Sequence, residues 1–177
     1  LLAAHRCFGR HGIHGTSIRE ICEEAEVSVG TVYRYFEGKD DVVRALAEWA
    51  RMDKQKMVEG LDRDRPLEAL TELSRRLLAP LGAPGAREAA RLDVRLWSEA
   101  LSDEGLEGIW RENYTSLHEA VEELVRDGQR AGEVRGDVDA GEVARVFLAL
   151  AQGSVMLRSL ETSLDADRLL GAITDLL

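Results

Sequence analysis

This sequence is short of the residues that build sheets, covalent staples and membrane spans. Only two of its 177 residues are cysteine, Cys7 and Cys22. Two thiols in a chain this long exclude a disulfide framework and fit a reducing compartment, so the expected location is the cytoplasm. No uninterrupted apolar run reaches about 18 residues, so neither a spanning segment nor a membrane partner is assigned. The opening, Leu1-Leu2-Ala3-Ala4-His5-Arg6, lacks the apolar stretch and cleavage site of a signal peptide. It also lacks Met and opens in mid-helical pattern, so some N-terminal residues are expected to be missing. Prolines number three and β-branched alternations are few, while Ala, Leu, Glu and Arg dominate. That balance predicts an all-α protein. Cationic excess is absent too. The net charge of −10 argues against a nonspecific coat on nucleic acid. Residues 1–50 hold six Lys/Arg against eight Asp/Glu, so most of the acidic surplus lies further along the chain. A local DNA-binding unit is compatible with this, because affinity depends on where the cations stand.

Enzyme signatures are missing as well. There is no G-x-S-x-G, P-loop, H-E-x-x-H or dinucleotide fingerprint, so no catalytic residue and no cofactor is assigned. His11 and His14 lie three apart beside glycines, but a metal would need further ligands around them. They read as a solvated loop, and no metal site is expected.

What is present is a series of amphipathic helices. Leu1, Leu2, Ala4, Cys7 and Phe8 share one face at spacings of three and four, before Gly9, Gly12 and Gly15 break the pattern. Ser17 with Glu20 three residues on makes a capping box for a helix whose stripe is Ile18, Ile21, Cys22 and Ala25. Glu26-Val27 form a turn, and Ser28 caps a second short helix from Val29 to about Phe36. Asp40-Asp41 open a long helix to about Leu61, and Pro66 opens another that ends near Pro80. Further helices are predicted over about 87–101, 105–131 and 139–161, with Asp165 capping a last one to the C-terminus. The pattern divides into an N-terminal unit of residues 1–47 and a helical remainder of residues 48–177, with the boundary inside the long helix.

Thr16 to Lys39 is the stretch that carries function. Two short helices joined by a tight turn can lay the second helix in the major groove while the first braces it. Val27, Val32 and Phe36 can pack the pair together. Gly30 allows close approach to DNA, and Thr31 and Tyr33 point outward to base edges or phosphates. Ser28 and Val29 offer backbone N–H groups to a phosphate, as does Thr16 at the first helix. Lys39 can pair with a phosphate on the flank.

Gly12, Thr16-Ser17-Ile18, Ile21, Ala25, Val27-Ser28, Gly30-Thr31-Val32-Tyr33, Tyr35-Phe36 and Lys39 together resemble the tetracycline-repressor-like (TetR) family of bacterial regulators. The resemblance is specific over about residues 8–45. It implies an N-terminal three-helix helix-turn-helix domain that binds double-stranded operator DNA, followed by a helical domain that binds an effector and dimerises. Carried over by position, the DNA contacts are Thr16, Ser28, Val29, Gly30, Thr31, Tyr33, Arg34, Tyr35 and Lys39, although Tyr35 reads equally well as a partly buried flank. Glu26 departs from the family's usual glycine, and a glutamate at positive φ would be strained.

Beyond residue 50 the resemblance is one of pattern, carried by Leu96-Trp97-Ser98-Glu99-Ala100, Trp110, Tyr114 and Gly132-Glu133-Val134. It implies a small-molecule effector. Trp97, Trp110, Tyr114 and Phe147 are candidates to line its cavity, with Arg95, Glu99 and His118 as polar anchors. Core packing and surface ion pairs explain the same residues. Leu117, Val121 and Leu124, with Val143, Phe147, Leu150, Ser154 and Leu157, form long apolar stripes that suit either a protomer core or a homodimer interface. The reading is a ligand-responsive repressor, the alternative a helical adaptor or small-molecule-binding protein that has lost DNA binding.

Overall fold

The computed structural model describes residues 1–161 together with residues 165, 168, 169 and 171. All regular structure among these is helical. The elements are α1 (Leu2–His11), α2 (Ile18–Ala25), α3 (Val29–Tyr33), α4 (Lys39–Val58), α5 (Pro66–Leu78), α6 (Ala86–Ala100), α7 (Glu104–Ala131) and α8 (Ala140–Leu160). A 3₁₀ turn, Ala79–Gly82, follows α5. Beyond α8, the Arg168 N–H donates to Asp165 Oδ1 at 3.1 Å, while the remainder of the predicted last helix lies outside the described residues.

Local chemistry sets most of these boundaries. Ser17 and Glu20 form the reciprocal capping box, and the two hydrogen bonds from Ser17 hold the Glu20 carboxyl below the usual carboxylate range. Ser28, Asp103 and Asp139 cap α3, α7 and α8 by accepting from N–H groups three residues on. The Glu26 backbone is left-handed at φ 55°, and it closes α2 by donating to the Cys22 and Glu23 carbonyls. The turn thus keeps its geometry and absorbs the strain of a non-glycine residue. Gly15 is required for another reason, because a Cβ there would lie 2.4 Å from the His11 carbonyl oxygen.

Two apolar clusters hold the molecule together. The first joins Phe8, Ile21, Val42 and Leu46 to Leu92, Leu96 and Leu106. It therefore crosses residue 47, and α6 and α7 share a core with α1, α2 and α4. The second cluster packs α5, α7 and α8 through Leu70, Leu73, Val121, Leu124, Ala144 and Phe147. Two N-terminal expectations differ from the outcome. Ala25 and Val27 lie on the surface, so Val32 and Phe36 carry the α2–α3 packing without them.

The α8 helix is long and apolar enough to cross a membrane by length and composition. Here it is a bundle helix packed on α6 and α7. Ala144, Phe147, Leu148 and Ser154 face inward, and Val146, Leu150, Leu157 and Leu160 face out. Leu117, Val121, Leu124, Phe147 and Ser154 are each buried within the protomer, so they are not on a surface that a second copy could meet. The α7 stripe faces α5 and α8, and that is why it is spent on the core.

Candidate nucleic-acid interface and ligand cavity

The α3 helix is short, and most of its side chains are turned outward. Val29, Tyr33 and Tyr35 are 43%, 54% and 68% exposed, while Val32 alone anchors the helix inward. Ser28 Oγ and Thr31 Oγ1 lie 2.8 Å apart, and Ser28 Oγ also accepts from the Thr31 N–H, which fixes the start of the helix. The Arg34 guanidinium lies 5.1 Å from the centre of the Tyr35 ring, a cation–π stack that preorganises both at the end of the helix. Gly30 meets nothing nearer than Ser28 Oγ at 3.9 Å, so the fold itself has room for a side chain there.

Two of the expected contacts are placed differently. Thr16 is only 2% exposed, and its hydroxyl donates inside the protein to the Gly12 and Cys7 carbonyls, at 2.7 and 3.3 Å. It secures the α1–α2 corner rather than presenting its side chain. Lys39 Nζ donates to the His14 and Thr16 carbonyls at 3.4 and 3.2 Å, so this ammonium ties the start of α4 to the same corner. Other cations of the unit are neutralised locally. Arg6 and Arg10 both pair with Glu24, which holds that carboxyl below its usual range.

The second feature is a cavity of about 700 Å³ between α4, α6, α7 and α8. Trp97, Trp110 and Tyr114 line it, with Trp49, Lys54, Asp93 and Asn113. The chain has three tryptophans, and all of them are on this wall. Size and mixed lining are those of a small-molecule site. Asn113 is 9% exposed and lines the cavity. The Trp110 Nε1–H is buried and has no acceptor among the described residues. Lys54 Nζ lies 4.7 Å from the centre of the Trp110 ring and 3.7 Å from Asp93 Oδ2, joining α4 to α6. His5, from α1, reaches the same cavity and meets Trp49 edge to face at 6.1 Å. Burial pushes the His5 imidazole below its usual pKa, against an opposing pull from Asp93.

Four expected cavity residues stand elsewhere. Arg95 Nη1 donates to the Phe8 and Gly9 carbonyls, at 2.6 and 3.0 Å, on the far side of α6. Glu99 pairs with His14 at 2.9 Å. His118 meets the Gly141 carbonyl at 3.0 Å, and Phe147 is core. The first two fasten α6 to α1 and its loop instead of facing a ligand. His11, the other loop histidine, lies 3.6 Å from Glu20. Trp49, Lys54, Asn113 and His5 were missed. Trp49, Asp53 and Met57 recur along α4 at helical spacing, a signal that the long helix carries a second, cavity-facing stripe beyond the DNA unit.

Residues 1–46 match the bacterial regulatory proteins of the tetR family, and residues 66–177 match the C-terminal region of BetI-type transcriptional repressors. The transcriptional regulator UidR of Escherichia coli K12 is 26% identical over 158 residues, covering 86% of this chain and 76% of its own. The transcriptional repressor Rv1474c of Mycobacterium tuberculosis is 28% identical over 173 residues, 98% of this chain and 86% of its own. Among solved structures, a TetR transcription regulator from Haloarcula marismortui superimposes with a TM-score of 0.80 at 23% identity, covering 99% of this chain and 90% of that one. With its exposed α3 and matched N- and C-terminal regions, the chain belongs to the tetR family of bacterial regulatory proteins, as a DNA-binding transcriptional regulator and not an enzyme.

Proposed function

We propose that the protein is a homodimeric repressor of the cytoplasm that binds a near-palindromic operator and is released from it by a small-molecule effector. In this reading residues 1–47 hold the DNA and residues 48–177 hold the effector and the partner protomer. Ser28, Val29, Gly30, Thr31, Tyr33, Arg34 and Tyr35 contact DNA. Thr16 and Lys39 contribute through their backbone and by fixing the corner beneath α3. The observation that carries this is the outward α3, with Gly30 left bare where the fold does not need it.

The α8 face of Val146, Leu150, Leu157 and Leu160 supports the dimer, because it is a continuous exposed apolar stripe at helical spacing. A two-fold axis there would present two α3 helices about one turn of DNA apart, roughly 34–36 Å. Release follows from α6, which lines the cavity on one side and grips α1 on the other. A ligand that prefers one position of α6 over another changes the α3 spacing, and so DNA and ligand affinities are linked.

The test is a mobility-shift assay with the DNA upstream of the protein's own reading frame. Full-length protein shifts it at nanomolar concentration, and Tyr33→Ala abolishes the shift while melting normally. Full retention of binding by that variant would remove α3 as the reading element.

A further inference from the structure

The α6 helix presents three sides with three different contacts. Glu88, Arg95 and Glu99, at spacings of seven and four, share the side that meets the DNA-binding unit. A Cβ on Gly9 would lie 3.1 Å from the Glu88 carbonyl oxygen, so α1 and α6 approach backbone to backbone there. Arg95 then holds the Phe8 and Gly9 carbonyls, and Glu99 holds His14. Ala90, Asp93 and Trp97 share the side that walls the cavity. Arg87 and Arg91, four residues apart, share the remaining side and meet the end of α8. Arg87 Nη2 donates to the Leu160 carbonyl at 3.4 Å, and Arg91 Nε donates to the Ser159 carbonyl at 3.3 Å. Among the described residues neither arginine is paired with a carboxylate, so surface ion pairing does not account for them. The helix ends at this point, with the Glu161 N–H returning to the Leu157 carbonyl. Cations placed here also complement the α8 dipole.

We infer that Arg87 and Arg91 are positioning residues for DNA recognition. They fix α6 to the end of α8, α6 fixes α1, and the separation of the two α3 helices in a dimer is set through that chain of contacts. Leu157 and Leu160 belong to the outward apolar stripe of α8, so the segment the arginines hold is also the one proposed to meet the partner protomer. Its inner side is fastened as well, since the Ser159 hydroxyl donates to the Met156 carbonyl at 2.6 Å. Apolar packing between α6 and α8 permits small sliding motions, whereas donors aimed at fixed carbonyls set the axial position of one helix on the other. DNA makes that position matter. One base pair changes the separation of two half-sites by about 3.4 Å and their relative rotation by about 35°. An α6 free to slide would let α3 sample several separations and lose the preference for one.

This inference rests on the homodimer reading, and the experiment separates the two. Full-length protein is titrated with five duplexes: the operator selected from a random pool, and versions with its half-sites moved together or apart by one or two base pairs. Wild-type protein prefers the parent spacing by at least tenfold, because only that spacing engages both protomers without strain. Arg91→Met keeps the apolar stem and removes the donors. It narrows the spread across the five duplexes to about threefold while sedimenting as a dimer, and Arg91→Lys recovers part of the preference. An arginine that only stabilises the fold would lower affinity evenly, so an unchanged spacing profile in Arg91→Met overturns the inference and leaves the dimer standing. Flattening that comes with dissociation to monomers also overturns it, because the arginine then holds the interface itself. Wild-type protein indifferent to spacing overturns both readings. Should Arg91→Met not fold, Arg87→Met is read in the same way on the same duplexes.

Discussion

Arg95 on α6 donates from Nη1 to the carbonyl oxygens of Phe8 and Gly9 at the end of α1, which joins the wall of the cavity to the first helix of the DNA-binding unit. The Phe8 carbonyl also accepts from the Gly12 N–H at 2.9 Å, so Arg95 adds a second, charged donor there, and a cation at a helix C-terminus complements the helix dipole. Arg95→Met keeps the apolar stem and removes the donors. It is expected to destabilise the protein by about 1.5–3 kcal/mol, the range for hydrogen bonds to a charged group. Amide exchange in α1 should accelerate more than in α5. A urea titration and hydrogen exchange check both, and uniform acceleration in α1 and α5 would show that Arg95 adds stability without coupling α6 to α1.

The Arg34–Tyr35 stack makes a quantitative prediction for DNA. Arg34→Ala removes one phosphate-directed cation, so the slope of log affinity against log salt should become shallower by about 1, with little change in preferred sequence. Tyr33→Ala should lower specific affinity while leaving that slope nearly unchanged. Titrations at several salt concentrations separate the two, and interchanged behaviour would reassign their roles.

Glu26 is the non-glycine residue with positive φ among the described residues. A left-handed backbone costs a side-chain-bearing residue about 1–2 kcal/mol, and glycine's greater freedom in the unfolded chain offsets roughly 0.4–1 of this. Glu26→Gly is therefore expected to stabilise by about 0.5–1 kcal/mol without altering DNA affinity. A shift of the urea midpoint to lower concentration would contradict this account of the turn.

His5 supplies a pH dependence. Burial lowers its folded pKa below 6.5, so as pH falls through 6.5 the unfolded chain takes up the proton before the folded one. Stability should decline with acidification from that point until the lower folded pKa is passed, and be indifferent to His5 above it. His5→Phe preserves the edge contact with Trp49 and should flatten this part of the curve. Thermal melts between pH 5 and 8 test it, and a wild-type slope retained in the variant would assign the effect to other groups.

The outward face of α8 predicts assembly behaviour. Leu150→Glu combined with Leu157→Glu leaves the buried face untouched and should yield a folded monomer by sedimentation, with operator affinity reduced at least a hundredfold. A dimer that survives both substitutions would place the two-fold axis elsewhere.

The helical fold and the α2–α3 unit were legible because their determinants are local. Ser17 with Glu20, the caps Ser28, Asp103 and Asp139, and the apolar periodicity all act within a few residues of themselves. The cavity and the interface were less legible because they depend on which side of a helix its neighbours take. Leu117 and Val121 carry the same apolar signal whether they meet α5 and α8 or another protomer, and only the packing of three helices shows that they are core. Arg95, Glu99 and Trp97 share one short stretch of α6, yet a rotation of one or two hundred degrees divides them between a domain clamp and a cavity wall. Thr16 and Lys39 have the residue types of phosphate contacts, and their use inside the corner follows from Gly12 and His14 offering carbonyls at the right distance. Lys54 and Asp93 lie too far apart in sequence for their pairing over Trp110 to be read from spacing.

Selection of bound DNA from a random duplex pool by the full-length protein tests the central claim most directly. The account predicts enrichment of two inverted half-sites with centres about one helical turn apart, and loss of that enrichment with Tyr33→Ala. A pool that stays random with the wild-type protein, or an enriched site that Tyr33→Ala still selects, would contradict it.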